Sequence, residues 1–480
     1  MKTTLAGISI LILLVTLVAA GLQNLGLECL GALLASAAIA CFALHLMPGA
    51  RTRVIPPQLV FYPLVGFGAQ FSTAHLVFAE RMAGLDPLVV TPSAVSRIVF
   101  SALALVLLGI AGFAFGLSIS FQRQVRRVPK SECPREAWLV SIIALSILGL
   151  YATFDFVQAN GGVSAIVSGW HDRDELNGSL RLLIPAMPLA SLLWIAGAGK
   201  RLSWPTVTHL LASFVCLTLI GNRSDGIRLL AAAVVLGWAC RQTRLFLQKH
   251  RTLLLLGVFA LVLVYFVTIG AIRGVGKHYR TSDVAFSTEV VKEVLSKSTA
   301  DQMLSFYYLP SVKAISQVLA IFPERLPFLK GLSFGSALDV WVPISLDGLF
   351  PTVRVGKMIF VQVYDREADS ALFATLIGEF YLNWGIAGVP VGMVALGFLC
   401  SRLYRRAALR PDDPWISTAY ALFLAVFLPY LLTVESLHAS HYSFVYFYLL
   451  AASFILSRLL RGLKMQDGPR RSAVHLVRIP

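Results

Sequence analysis

Runs of mostly apolar residues recur along the chain, and short polar segments separate them. A helix needs about 20 such residues to cross the hydrocarbon core of a bilayer. We therefore predict an all-α fold, a polytopic membrane bundle of about 12 spanning helices. The predicted spans lie near residues 4–21, 26–48, 58–80, 98–120, 138–158, 181–198, 206–221, 228–243, 252–271, 384–401, 416–434 and 441–457. We expect the first to be a retained helix rather than a cleaved signal peptide, because a second span follows it at once.

The positions of lysine and arginine predict the orientation of these spans. If the N-terminus is inside and the spans alternate, the inner segments hold 24 of the 41 basic residues. Basic residues concentrate in the cytoplasmic loops of membrane proteins. This distribution predicts that both termini lie in the cytoplasm, and we expect the membrane to be a bacterial inner membrane.

One predicted outer segment, 272–383, is much longer than the others. It contains an amphipathic stretch with Val290, Val291, Val294 and Leu295 on one face, and it is rich in aromatic residues and prolines. We expect a large, partly helical periplasmic loop between spans nine and ten. The predicted organisation is a bundle of nine spans (1–271), this loop or cap (272–383), three more spans (384–457) and a basic cytoplasmic tail (458–480).

Composition narrows the class of function. The chain is 57% hydrophobic and 14% charged, so its net charge of +16 is better explained by inner loops than by a nucleic-acid partner. No phosphate-binding GxxxxGK[ST] loop, CxxC pair or HExxH spacing occurs, and the DRD at 172–174 is a weak match to a metal-binding DxD. We therefore expect neither a cofactor nor a metal.

Several basic residues lie at the predicted outer ends of the helices, against the general inward bias. Arginine side chains bind phosphate oxygens with two parallel hydrogen bonds. As a group they favour an anionic ligand, although each one alone is as well explained by an interfacial anchor or by a pair with a nearby acid. They are Arg173, Arg181, Arg223, Arg228, Arg273, Arg280, Arg354 and Lys357.

Acidic residues at the same predicted depth are the second group of candidates. Glu379 lies where the long loop joins span ten, Asp155 near the outer end of span five, and Glu435 and His438 in the last outer loop. A carboxylate at this depth is costly unless it is paired or used in function. Glu379 is therefore either a general base or the partner of an arginine.

The chain resembles the Wzy family of repeat-unit polymerases in its predicted spans, outer loops and outer arginines. Three segments carry the resemblance: NGGVSAIVSGWHDRDELNGSLRLLIPAMP, GNRSDGIRLL, and KGLSFGSALDVWVPISLDGLFPTVRVGK followed by ATLIGEFYLNWGIAGV. The resemblance implies metal-independent glycosyl transfer between undecaprenyl-pyrophosphate-linked oligosaccharides, which builds an O-antigen, a capsule or an exopolysaccharide. A lipid-linked oligosaccharide flippase, an O-antigen ligase and a non-catalytic scaffold remain alternatives.

The resemblance also suggests roles for particular residues. Arg273, Arg280 and Glu379 would be catalytic. The substrate-binding residues would be Arg173, Arg181, Arg223, Arg228, Arg354, Lys357, Trp170, Tyr279 and Tyr364. Expected partners are the lipid-linked glycans, membrane lipids, a chain-length regulator and a flippase.

Overall fold

The computed structural model of this protein describes its helices and their connections in part of the chain. The described residues are 54–62, 65, 92–121, 135–163, 166, 180–197, 203–219, 223–239, 312–342, 353–364, 374–434 and 436–466. Within these ranges every regular element is a helix and no strand occurs. The predicted all-α class is thereby confirmed for the described residues.

The helices follow the apolar runs, with some changes of boundary. They are α1 (Gln58–Tyr62), α2 (Pro92–Phe121), α3 (Arg135–Ala159), α4 (Ala186–Gly197), α5 (Trp204–Leu219), α6 (Arg223–Ala239), α7 (Val312–Ile321), α8 (Leu332–Trp341), α9 (Val355–Tyr364), α10 (Thr375–Leu409), α11 (Pro414–Leu422), α12 (Leu428–Thr433) and α13 (Ser436–Gln466). Five segments among the described residues are long and apolar enough to cross a membrane: Arg97–Ile119, Trp138–Ala159, Thr375–Leu409, Pro414–Thr433 and Ala439–Leu460. The full count of twelve and the orientation remain predictions.

The outward faces of these helices are apolar. On α3, Ile143, Ile147 and Phe154 are 50%, 63% and 64% exposed, and Val391 on α10 is 69% exposed. Soluble proteins rarely present contiguous apolar patches of this kind to water. Such an outer face is suited to contact with lipid chains.

Glycines bring α2 and α10 into close contact. A Cβ on Gly112 would lie 2.8 Å from the carbonyl oxygen of Pro390, and Cβ atoms on Gly116 and Gly397 would also meet backbone atoms of the facing helix. Small residues allow backbones to approach closely where helices pack inside a membrane. This crossing fixes α10 against the rest of the bundle.

Helix α10 is interrupted at Gly385. This residue has φ 69° and ψ −159°, a conformation that is essentially restricted to glycine. The carbonyl oxygens of Leu382 and Asn383 accept hydrogen bonds from the backbone N–H groups of Leu329 and Lys330, at 3.0 and 3.1 Å. Carbonyls released by a helix break in apolar surroundings need such replacement partners.

The long predicted loop contributes helices to the core. In α7, Val312, Ile315, Val318 and Ile321 are buried, and this helix packs against α2 and α10. Helix α10 begins at Thr375, so Glu379 lies inside a helix, in the part that precedes the break at Gly385. The predicted start of span ten, at 384, lies next to this break.

A wide helical turn, Phe423–Phe427, joins α11 and α12. Pro429 follows it closely, and its ring would clash with the carbonyl four residues earlier in a regular helix. Opening the turn to π geometry relieves that clash. Phe427, the last residue of this turn, lines the cavity described next.

Candidate functional site

An open cavity of about 830 Å³ lies between α8 and the helices α10, α12 and α13. Its size is typical of pockets that hold small organic ligands. We call it the apolar groove. Its lining residues are Phe334, Ala337, Leu338, Trp341, Leu376, Phe380, Trp384, Ala387, Gly388, Val391, Gly392, Ala395, Leu396, Leu399, Phe427, Leu431, Ser436 and Ser440.

Small residues of α10 form one side of the groove. Ala387, Gly388, Gly392 and Ala395 lie on the same face of the helix. A Cβ on Gly388 would lie 2.6 Å from the carbonyl oxygen of Phe380, and one on Gly392 would meet the Phe380 ring. Both glycines therefore allow the part of α10 after the break to pack closely against Phe380, which precedes the break, and they leave the apolar groove open beside the helix.

Aromatic rings line the part of the groove beside the helix break. Phe334 on α8 stacks on Trp384, with ring centroids 5.4 Å apart and planes 7° from parallel. Phe334 also contacts Phe380 at a centroid distance of 5.3 Å. Because Trp384 is 48% exposed and Leu338 is 55% exposed, the groove is open on its outer side.

A buried carboxylate lies next to this region. Glu379 is 1% exposed, and its Oε2 and Oε1 accept hydrogen bonds from the backbone N–H and the hydroxyl of Ser436, at 2.7 and 2.6 Å. Ser436 is the first residue of α13, where backbone N–H groups have no partner within the helix. A carboxylate at a helix N-terminus is stabilised by these groups and by the helix dipole. Since Ser436 also lines the groove, it connects the carboxylate to the cavity.

Two further hydrogen bonds hold α8 against α13. The indole N–H of Trp341 donates to the hydroxyl of Ser440 at 2.9 Å, and the hydroxyl of Tyr448 donates to the Trp341 carbonyl. At the other end of α8, Asn383 Oδ1 accepts from the Gly331 N–H at 2.7 Å, and its amide donates to Ser333 at 2.7 Å. The helix that covers the groove is thus held at both ends.

A cluster of charged and aromatic residues lies at Tyr430 of α12. The Arg228 guanidinium lies 3.1 Å from the centroid of the Tyr430 ring and 3.4 Å from Asp225 Oδ1. The Tyr430 hydroxyl donates to the same Asp225 oxygen at 2.8 Å. These contacts fix the orientation of the Arg228 side chain. The adjacent Leu431 lines the apolar groove, so a single short helix joins the two features.

The structure describes only some of the sequence-predicted site residues. Arg181 lies in a short 3₁₀ turn with its guanidinium 5.8 Å from the centroid of Phe156, and Arg354 and Lys357 are exposed near the start of α9. Arg223 begins α6 and Tyr364 ends α9, but their side chains are outside the description. Trp170, Arg173, Arg273, Tyr279 and Arg280 lie outside the described residues.

Two acids make contacts that bear on the sequence predictions. Asp225 forms an ion pair with Arg228, one of the predicted outer arginines. Glu379 was considered as an arginine partner or a base, and the structure adds Ser436 as its hydrogen-bond donor. Neither Ser436 nor Asn383 was identified from the sequence. The small residues at 388 and 392, one helical turn apart, were the available signal for the groove.

The described part of the chain contains no group of three or more His, Cys, Asp or Glu side chains placed to hold a metal ion.

Compared with protein-family models, with curated proteins and with solved structures, the chain matches none of them.

Proposed function

We propose that this protein is a membrane glycosyltransferase that joins lipid-linked oligosaccharide repeat units, in the manner of the Wzy polymerases it resembles. The observation that carries the proposal is an apolar groove beside a buried, hydrogen-bonded carboxylate. A lipid-linked sugar also has an apolar part and a polar part, namely a long apolar tail and a polar reacting end. The two halves of the site suit the two halves of that substrate.

The groove has the character that a lipid tail requires. From Ala387 to Leu399 it follows α10 for roughly 18 Å, at 1.5 Å per residue. Its polar atoms include the hydroxyls of Ser436 and Ser440, near the end where α13 begins. Leu338, Val391 and Leu399 line the groove and are also exposed on the outer surface. A tail would therefore enter sideways from the bilayer.

Glu379 and Ser436 would remove the proton from the acceptor sugar. In this proposal the acceptor hydroxyl donates its proton to Ser436 Oγ while Ser436 passes its own proton to Glu379 Oε1, which is 2.6 Å away. The acceptor oxygen then attacks the anomeric carbon, and the bond to pyrophosphate breaks. General-base assistance of this type contributes roughly 100-fold or more to the rate. Because the leaving group is already a pyrophosphate, no nucleotide is needed.

Positive charge would stabilise the departing pyrophosphate. Arg228 is the described candidate, because Asp225 and Tyr430 hold its side chain in one orientation. Arg273 and Arg280 retain their proposed catalytic role on the strength of the resemblance alone. A preplaced donor at developing negative charge contributes on the order of 3 kcal/mol.

The test is the length profile of surface and lipid-linked glycans in a host in which the gene is deleted and variants are expressed at equal levels. Glu379→Gln keeps the shape of the side chain but removes the base. Glu324→Gln is the matched control, because Glu324 is an exposed carboxylate in the loop before α8. We expect Glu379→Gln to leave single repeat units and to reduce polymer by roughly 100-fold, and Glu324→Gln to behave as wild type.

A second pair of variants tests the groove. Ala395→Phe places a ring inside it, and Ala144→Phe places the same ring on the exposed face of α3. We expect only Ala395→Phe to shorten the polymer. Wild-type polymer with both Glu379→Gln and Ala395→Phe would overturn the proposal. Single units trapped on the cytoplasmic face would indicate a flippase, and full-length polymer retained on its carrier lipid would indicate a ligase.

A further inference from the structure

His209 on α5 is held by hydroxyl groups at both ring nitrogens. Its Nε2 lies 2.9 Å from the hydroxyl oxygen of Ser146 on α3, and its Nδ1 lies 2.6 Å from that of Ser191 on α4. Ser191 lies 2.7 Å from the hydroxyl of Ser213, which donates to the His209 carbonyl at 2.9 Å. The ring therefore joins three apolar helices through polar contacts.

This arrangement is unusual for its surroundings. Ser191 and Ser213 are fully buried, and Trp194 packs beside the imidazole with ring centroids 5.4 Å apart. An ionisable side chain among apolar helices is costly and commonly marks a functional site. The proposed transfer reaction, at Glu379 and the groove, makes no use of His209.

The hydrogen-bond network is complete when the imidazole is neutral. Ser146 donates to the carbonyl of Ile142 at 2.7 Å, so its oxygen is left to accept from Nε2–H. Nδ1 then has a lone pair that accepts from the Ser191 hydroxyl, while the Ser213 hydroxyl donates to the Ser191 oxygen or to the His209 carbonyl, at 2.7 and 2.9 Å. Every donor in the group has an acceptor.

The same network is also complete when the imidazole carries a proton on both nitrogens. The Nδ1–H then donates to Ser191, whose own proton turns toward Ser213 or toward the His209 carbonyl, at 2.7 and 3.3 Å. The bonds of Ser146 are unchanged. Uptake of a proton requires only that one buried hydroxyl rotate, since hydroxyl groups both donate and accept.

The charged side chains that the structure describes on the packed helices lie away from His209 or contact other groups. On α3, Asp155 lies nine residues from Ser146, about 13 Å along the helix, and accepts from the Leu180 N–H. Helix α4 contains no ionisable residue. The other described ionisable groups on the packed elements have other contacts or lie on outward faces. Tyr151 is exposed, Cys216 contacts Met187, Asp225 pairs with Arg228, and Arg181 lies over Phe156. On α11 and α13, Tyr420 bonds to Ile55, Tyr446 lies near Asp225, His441 bonds to Leu437, Tyr448 bonds to Trp341, and Arg458 lies over Phe454.

We propose that His209 is a reversible proton-binding site within the apolar helices, with Nδ1 as the atom that takes up the proton and Ser191 as the hydroxyl that reverses to accept it. Histidine is the side chain whose charge ordinarily changes between about pH 5 and 8. The site stands independently of the proposed glycosyl transfer, because it rests on other helices and other contacts.

The experiment is nitrogen NMR of the full-length protein in lipid nanodiscs, with ¹⁵N-labelled histidine, from about pH 8 to pH 5. The His209 signals are assigned by their loss in His209→Gln. We expect the Nδ1 signal to move reversibly from the acceptor to the donor position as the pH falls. In Ser191→Ala the midpoint should fall by about one pH unit, a tenfold loss of proton affinity, because a hydrogen bond from the charged ring is lost.

Thr208→Val is the matched control, because this exposed neighbour bonds only within its own helix, to the carbonyls of Trp204 and Pro205. Its midpoint should equal that of the wild type. A His209 signal that does not titrate would overturn the proposal, and so would an equal midpoint in Ser191→Ala. If Ser191→Ala does not fold, the wild-type titration alone still decides whether His209 binds a proton.

Discussion

Asn383 forms hydrogen bonds to the start of α8, the helix that covers the apolar groove, and replacing it with alanine tests that connection. The residue is 1% exposed and makes three hydrogen bonds: it accepts from the Gly331 N–H, and it donates to Ser333 and to the Glu379 carbonyl. Asn383→Ala leaves the Gly331 donor and the buried Ser333 hydroxyl without these partners. A buried polar group that loses its partner costs about 1–3 kcal/mol. Because the backbone bonds of Leu329 and Lys330 remain, we expect a loss of about 2 kcal/mol.

Hydrogen exchange measured by mass spectrometry reports this change directly. A loss of about 2 kcal/mol in local stability corresponds to roughly 30-fold faster opening of the segment 326–336. Asn160→Ala is the control, because its amide donates to the carbonyl of Phe156 within another helix. It should leave exchange at 326–336 unchanged. If folded Asn383→Ala shows the exchange rate of the wild type at 326–336, Asn383 does not hold the start of α8 in place.

Three further substitutions test other contacts. Gly116→Leu should lower stability by about 2 kcal/mol, seen as a lower Tm in detergent, because a side chain would meet the facing backbone of α10; an unchanged Tm would contradict the close crossing. Arg228→Lys should cost about 1 kcal/mol by the same assay, because lysine does not stack on Tyr430 as a planar guanidinium does; equal Tm values would exclude a stabilising stack. Trp341→Phe removes the donor to Ser440 and should make exchange in α8 about fivefold faster, whereas unchanged exchange would show that the ring contacts alone hold the helix.

The apolar pattern predicted the location of the long helices well. The described spans Trp138–Ala159 and Pro414–Thr433 lie within a few residues of the predicted 138–158 and 416–434. An apolar run long enough to cross a bilayer has few other stable arrangements, because every backbone group must be paired within the segment. The apolar pattern therefore predicts these two helices without information about how they pack.

The apolar pattern did not show how the polar residues just before the predicted span ten are paired. The turn that contains Glu379 and Asn383 is helical and precedes the break at Gly385. Ser436 satisfies the carboxylate, while Gly331 and Ser333 satisfy the amide. These partners are about 50 residues away in sequence, and a local pattern carries no information about them.

The sequence indicated Glu379 as a candidate site residue, but it did not indicate which residues lie around it. Glu379 was selected because an acid at the edge of a membrane is costly. The groove requires α8 to lie against a helix that begins more than 30 residues later, with Phe334 stacked on Trp384. Two of the serines around His209, Ser146 and Ser191, lie on other helices, and only Ser213 is a neighbour within α5. Serine is common in apolar helices, so none of them is distinctive before the helices pack together.

The polar groups of the candidate site occur where regular helices are interrupted. The break at Gly385 releases carbonyls that accept hydrogen bonds from Leu329 and Lys330, just before α8. The N-terminus of α13 supplies the Ser436 N–H that binds Glu379. Inside an unbroken helix these backbone groups would be paired with each other and unable to bind anything else. In an apolar environment each interruption must be satisfied by a definite partner, so it also fixes the position of that partner. The interruptions are therefore what allow an otherwise apolar bundle to hold a carboxylate and a covering helix beside an open apolar groove.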